Sequence, residues 1–284
     1  MKTYSAVPGQ ERSKTIPCSL CGGRRHRKIL TSRNYTFVRC VDCGLAFQNP
    51  QPLFDDLKQR YGQNYFEYEL ENEKNFFHLM KLGLQDIRLF ERTAELRQER
   101  RFLDVGCATG MLLQYLLDRG WSVNGVELCR ESAEYGMRTR NIDIFVGTLE
   151  EARFPESHFS VIHFSHLIEH VPDPKAFFSE VRRILVPGGY LVVVTPNIDG
   201  LQARLFREKW RSAIADHLTL FSKKTLHKML VATGFQIIKT VTWGGLAVGS
   251  APMIIKRPVD RLAKRLGFGD VVLMLAGNTK TGMG

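Results

Sequence analysis

A chain of 284 residues, 44% hydrophobic and 24% charged, has room for one sizeable domain and a small appendage, and its composition excludes a disordered or fibrous protein. The longest apolar runs, such as Leu191–Val194 and Val271–Ala276, are too short to span a bilayer, and the polar start Met1-Lys2-Thr3-Tyr4-Ser5 has no apolar signal core. The expectation is therefore a cytoplasmic protein with a net charge of +11 unevenly spread: nine Lys and Arg against two acids in residues 1–50, and fourteen against four in residues 200–284. Basic ends suit either an anionic partner or a merely solvated surface.

The first block alternates short β-prone pieces, Ile29-Leu30 and Tyr35–Val38, with glycines and basic residues. It carries Cys18-x2-Cys21 and Cys40-x2-Cys43, eighteen residues apart. Two such knuckles can converge four thiolates tetrahedrally on Zn²⁺, and with all four positions filled the role is structural. Gly22-Gly23 and Gly44 directly follow the knuckles and let backbone amides turn toward the sulfurs. Arg24, Arg25, Arg27, Lys28, Arg33 and Arg39 raise nucleic-acid binding as an option. Only Tyr35 and Phe37 could stack bases there, which makes that option the weaker one. Asn49-Pro50-Gln51-Pro52 prevents helix and reads as a hinge.

Phe77, Met80, Leu84, Ile87, Phe90 and Ala94 recur at three- and four-residue steps and predict a helix with one apolar face. From Arg101 the rhythm becomes strand, loop, helix. Strands are predicted at Phe102–Val105, Ser122–Leu128, Ile142–Val146, Phe159–Phe164 and Tyr190–Thr195, and helices at Met111–Arg119, Glu131–Arg140 and Lys175–Leu185. This alternation argues for right-handed βαβ units and a parallel sheet. A helix over Ser222–Thr233 follows, then two apolar runs, Phe235–Trp243 and Asp270–Ala276, as neighbouring strands at the end of the sheet. Between them a short basic amphipathic helix is expected from Pro258 to Leu266, an ordinary crossover or a peripheral contact with an anionic membrane or glycolipid.

Asp104-Val105-Gly106-Cys107-Ala108-Thr109-Gly110 ends a strand in a glycine turn and opens a helix at Met111. Glycines here admit a ligand to the backbone and leave amides at a helix N-terminus. Glu127 ends the next strand, 21 residues after Gly106, where an acid can accept both hydroxyls of a ribose. This D-x-G-x-x-x-G pattern resembles motif I of class I S-adenosylmethionine-dependent methyltransferases. The likeness continues through Gly147-Thr148-Leu149-Glu150, Phe159–Phe164, His166–Pro174 and Leu185–Leu191. It implies an α/β fold: a Rossmann-like doubly wound sheet, mostly parallel with an antiparallel last strand, plus the N-terminal ribbon. The implied units are a zinc ribbon over 1–50, a helical linker or lid over 51–100 and the cofactor-binding domain over 101–284. By the same likeness S-adenosylmethionine would contact Asp104, Gly106, Cys107, Ala108, Gly110, Glu127, Leu128, Thr148, Leu149 and Phe164. Thr148 departs from the Asp often found at its position.

Asp216-His217-x3-Phe221-Ser222 resembles the E-H-x-x-x-F-S segment of zinc-ribbon methyltransferases that act on sugars and natural products. There the His is a base candidate and the acid orients it; a cap before the helix is the plainer role. Tyr61 and Tyr65 resemble that subgroup's aromatic lid, or simply pack. His166-x-x-Glu169-His170 resembles the E-x-x-E-H of quinone-pathway O-methyltransferases, associated there with magnesium. With His166 in place of a carboxylate it suits a hard cation poorly, and His170 is expected to line the acceptor pocket or to pack. The reading is methyl transfer to oxygen or carbon of an anionic, sugar-like or nucleotide- or lipid-linked small molecule. The alternatives are an RNA methyltransferase gripping RNA through the ribbon, and a non-catalytic S-adenosylmethionine-binding protein.

Overall fold

The computed structural model describes residues 12–32, 35–94, 99–245, 263–264 and 266–279. Chain order begins with β1 (Ser13–Lys14), β2 (His26–Thr31), β3 (Thr36–Cys40), β4 (Ala46–Gln48) and β5 (Gln51–Pro52). Three helices follow: α1 (Phe54–Lys58), α2 (Gln63–Asp86) and α3 (Leu89–Ala94). The alternating part comprises β6 (Arg101–Val105), α4 (Met111–Leu117), β7 (Ser122–Glu127), α5 (Arg130–Arg140), β8 (Asp143–Val146), β9 (Phe159–Ser165), α6 (Pro174–Ile184) and β10 (Leu185–Pro196). After it come α7 (Leu201–Phe206), β11 (Thr219–Leu220), α8 (Lys223–Ala232), β12 (Phe235–Trp243) and β13 (Val271–Asn278).

Seven strands form the main sheet in the order β12-β13-β10-β9-β6-β7-β8. The run from β10 to β8 is parallel, and β13 lies antiparallel to both β10 and β12. Side chains alternate between two cores, as the period-two geometry of a strand requires. Leu103, Ile162, Leu191, Val193, Val272 and Met274 join α6 and α8 on one face. Phe102, Val161, Val192, Val194, Leu273 and Leu275 join α2, α3, α4 and α5 on the other. Covering both faces explains why β9 and β10 read as almost unbroken apolar runs. Asp173 caps α6 through the amides of Lys175 and Ala176, with Pro174 preset in the first turn. Ser222 and Thr225 cap α8 reciprocally.

The cysteine-bearing segment makes a second sheet of four strands, β11-β4-β3-β2. Its fourth strand comes from the far side of the chain: Thr219 pairs with Phe47 and Leu220 with Ala46. Leu20, Val38, Leu45 and Phe47 pack into the same core as α6 and α8. Two sequence expectations change here. Asn49-Pro50-Gln51-Pro52 is not a free hinge, because Gln51 and Pro52 are buried in β5, which pairs with β1. The helix expected through Ala94 is two helices, since Arg88 adopts φ 56° and breaks the ladder between α2 and α3.

The basic helix expected over Pro258–Leu266 falls outside the described residues except for Ala263, Lys264 and Leu266. Ala263 is buried, and Lys264 Nζ lies 2.9 Å from the Asp86 carboxylate of α2. Among the described residues no helix is long and apolar enough to cross a membrane.

Candidate active site

The glycine turn between β6 and α4 is built as one piece with the end of β7. Gly106 and Gly110 have φ of 72° and 76°, a left-handed region costly for other residues. A Cβ on Gly110 would fall 2.1 Å from Ile142. The Gly106 amide donates to Val126 O at 2.7 Å. Glu127, 5% exposed, accepts the Ala108 amide through Oε2 and the Cys129 amide through Oε1, each at 2.8 Å. Burial raises its carboxyl above the usual range, and the backbone amides pull it back down. Cys107 and Leu128 flank this unit, buried and half-buried respectively.

Helix α2 closes over the turn. Tyr65, Glu69 and Glu73 recur every four residues and share a face. Glu73 accepts hydrogen bonds from the Thr109 hydroxyl and from Arg140, tying the helix to the glycine turn and to α5. Glu69 is not among the residues that the sequence singles out. Burial first, then the nearby Glu127 charge, pushes its carboxyl up to about 7. Tyr61 and Tyr65 stack edge to face at 5.0 Å. Burial lifts both phenols well above their usual range, and Glu127 lifts them further.

Other expected cofactor residues stand further back. The Asp104 carboxylate, 1% exposed, is taken by His163 Nδ1 at 2.7 Å, a buried pair that a single sequence does not reveal. Phe164 does not face the turn. It is fully buried against Phe177 and Phe178, because its position in β9 points toward α6. The Thr148 hydroxyl accepts the Glu151 amide while the Glu151 carboxylate accepts the Thr148 amide, so Thr148 caps a turn. Leu149 is buried in the core.

A second group sits at the end of β9, where a short 3-10 turn spans Ile168–His170. It abuts the glycine turn: a Cβ on Gly106 would meet Leu167 Cδ1 at 3.2 Å. His170 Nδ1 donates to Asp216 O at 3.0 Å, and His217 Nδ1 donates to Ser212 O at 2.8 Å. The two imidazoles meet edge to face at 4.7 Å. The sequence paired the Asp216 carboxylate with His217; instead it pairs with Arg60, just after α1, and only its backbone carbonyl serves a histidine. Burial, then the neighbouring His170, depresses His217 to about 3, so it is neutral at ordinary pH. Glu169 is fully buried, with Oε2 accepting the Thr195 hydroxyl at 2.8 Å. Burial opposes its ionisation, yet His166, His217 and His170 together hold its carboxyl down to about 2. Donor atoms of Glu169, His170 and His217 lie within 4.8 Å of one another, so two imidazoles and one carboxylate converge. The charges of Asp216 and Glu127 both push the Tyr61 phenol up, after burial.

In the ribbon, the sulfurs of Cys18, Cys21, Cys40 and Cys43 also lie within 4.8 Å of one another. Cys18 Sγ is 3.4 Å from Cys43 Sγ, and Cys21 Sγ is 3.5 Å from Cys40 Sγ. Tetrahedral thiolates at ordinary Zn–S length stand about 3.8 Å apart, so this donor set fits zinc. Each knuckle is closed by a backbone bond, Gly22 N to Cys18 O and Gly44 N to Cys40 O.

A sheet of parallel strands with one antiparallel strand inserted before its edge, and with a glycine turn and a strand-end acid side by side, defines the class I S-adenosylmethionine-dependent methyltransferases. The methyltransferase domain family model matches residues 76–240, more than half of the chain, and the protein belongs to that family. Ubiquinone biosynthesis O-methyltransferase of Idiomarina loihiensis is 36% identical over 106 residues, covering 34% of this chain and 43% of the relative. Probable tocopherol O-methyltransferase of Oryza sativa subsp. japonica is 29% identical over 107 residues, covering 35% of this chain and 30% of the relative. The chain thus spans less than half the length of these curated relatives. Among solved structures, a chain of the complex between the Haloferax volcanii Trm112 methyltransferase activator and a methyltransferase superposes with TM-score 0.58 at 17% identity, over 78% of this chain and 97% of that one. An S-adenosylmethionine-dependent methyltransferase from Archaeoglobus fulgidus gives TM-score 0.53 at 19% identity, over 74% and 99%. These likenesses concern the fold.

Proposed function

We propose that the protein transfers the methyl group of S-adenosylmethionine to a hydroxyl oxygen of a small anionic acceptor, with His170 as general base. The observation that carries this reading is the tautomer of His170. Its Nδ1 proton is committed to Asp216 O, so Nε2 keeps its lone pair, and the short turn that bears His170 abuts the glycine turn through Leu167. Bound at that turn, S-adenosylmethionine supplies a methyl carbon on a positively charged sulfur. The Glu127 carboxylate, already braced by backbone amides, would accept from the ribose hydroxyls. Glu69 and Glu127 offer negative charge to a cationic donor. His170 Nε2 takes the acceptor proton as the acceptor oxygen bonds to carbon and the carbon–sulfur bond breaks, its electron pair passing to sulfur. His217, held neutral, packs against His170 and fixes its plane.

Oxygen is favoured over carbon because the names of both curated relatives specify O-methylation. An anionic acceptor, sugar-like or nucleotide- or lipid-linked, suits the basic C-terminal region. Zn²⁺ at Cys18, Cys21, Cys40 and Cys43 is structural in this reading, with no open position for a ligand. The test is transfer of labelled methyl to a panel of phenols, sugar phosphates, nucleotide sugars and RNA. Turnover of a small hydroxyl acceptor, lost in His170→Ala with donor affinity kept, is the expected result. Label entering RNA alone, or no turnover despite donor binding, overturns it.

A further inference from the structure

Gln48 lies in β4 of the ribbon, 2% exposed, and its side chain points out of the ribbon into the loop that carries Asp216 and His217. Its Nε2 donates to His217 O at 2.7 Å and Ala215 O at 2.8 Å, with Ile214 O at 3.4 Å. Its backbone amide donates to Leu218 O at 2.8 Å, and the Tyr35 hydroxyl, also in the ribbon, donates to Ala213 O. The ribbon therefore takes the carbonyls of Ala213, Ile214, Ala215, His217 and Leu218. The carbonyl it leaves, that of Asp216, is the one that receives His170 Nδ1–H. Ser212 O, at the near end of the same loop, receives His217 Nδ1–H.

We propose that Gln48 is a positioning residue for methyl transfer: by fixing this loop it sets the tautomers of both acceptor-side histidines. A neutral imidazole in water prefers its proton on Nε2, and a carbonyl held against Nδ1 reverses that preference. With the proton on Nδ1, Nε2 of His170 can take a proton from an acceptor. With the opposite tautomer the same position presents a donor and the base is lost. Gln48 touches neither donor nor acceptor in this scheme, and it belongs to the segment that looks most like an appendage. The catalytic consequence rests on His170 being the base; the tautomer claim does not.

The experiment uses the full chain with isotope-labelled histidine and long-range proton–nitrogen correlation spectra at neutral pH, which distinguish the two tautomers. Wild type should show Nδ1–H at His170 and His217. Gln48→Met keeps the length of the side chain and removes the donor. It should shift both rings toward Nε2–H while donor affinity, read by calorimetry, stays unchanged. Tyr35→Phe removes one ribbon-to-loop bond and should give a smaller shift in the same direction, and it decides the matter if Gln48→Met does not fold. Unchanged tautomers in a folded variant overturn the proposal. So does a fall in donor affinity alongside the shift, since that marks general loosening. If the tautomers respond as stated but no acceptor is methylated, the proposed activity and the catalytic consequence fall together, and only the control of the two tautomers by Gln48 stands.

Discussion

Oε2 of Glu127 accepts the amide of Ala108 at 2.8 Å, so the acid ending one strand braces the turn ending its neighbour. Ala108 itself sits at φ 49°, a conformation non-glycine residues avoid without such support. One carboxylate thus shapes the glycine turn and, in the proposed reading, also receives the ribose.

Replacing that carboxylate separates the two duties. Glu127→Gln keeps one oxygen acceptor but loses the other and the charge. Donor affinity should fall by about 1.5–3 kcal/mol, the range for a hydrogen bond to a charged group, or roughly 10- to 150-fold. Calorimetric titration with S-adenosylmethionine checks this, and an unchanged Kd removes Glu127 from the donor site.

Glu69 should make donor binding pH-dependent. Its carboxyl titrates at about 7 in the free protein, so near neutral pH it is partly protonated. A cationic donor beside it favours the carboxylate, and a proton must leave on binding. Titrations in buffers of different ionisation enthalpy should reveal net proton release near pH 7 that disappears in Glu69→Gln. Equal proton counts in wild type and variant would place Glu69 away from the donor.

Acid stability should carry the signature of His217. Its folded pKa of about 3 lies below the unfolded value near 6.5. The unfolded chain therefore binds this proton first as pH falls, and stability present above pH 6.5 is lost on going down toward pH 3. The slope from this residue is at most about 1.4 kcal/mol per pH unit. Denaturant melts of wild type and His217→Asn across that window should show a shallower dependence in the variant. Parallel curves would falsify the assignment.

Chelation tests the ribbon. If zinc holds the four cysteines, its removal should loosen β2, β3 and β4 and, through the β4–β11 pairing, residues 213–220 as well. Amide exchange followed by mass spectrometry should show faster exchange in both regions and little change at β6 or β9. Acceleration confined to the ribbon would mean that the loop holds its own shape.

What the sequence discloses is what local pattern controls. Strand-helix alternation, the turn at Gly106–Gly110, Glu127 and the paired knuckles each announce themselves within a few residues, because their geometry depends on neighbours in the chain. The Asp104–His163 pair, the Arg60–Asp216 ion pair and the reach of Gln48 join residues far apart, and no periodicity encodes them. Thr219 and Leu220 make a strand of two residues, too short for any alternation to show. Glu69 was recoverable in principle: extending the helical face back from Phe77 would have aligned it with Tyr65 and Glu73.

The pairing of β4 with the loop before α8 also orders events during synthesis. Gln48 waits for a partner 169 residues further along, among the most distant contacts in the chain. The ribbon's first three strands can pair as soon as they leave the ribosome, whereas the fourth emerges only after most of the main sheet has been made. Contacts of such span form late and slow the final step of folding. Until then one edge of β4 lies open to any other extended segment, including that of a second nascent copy.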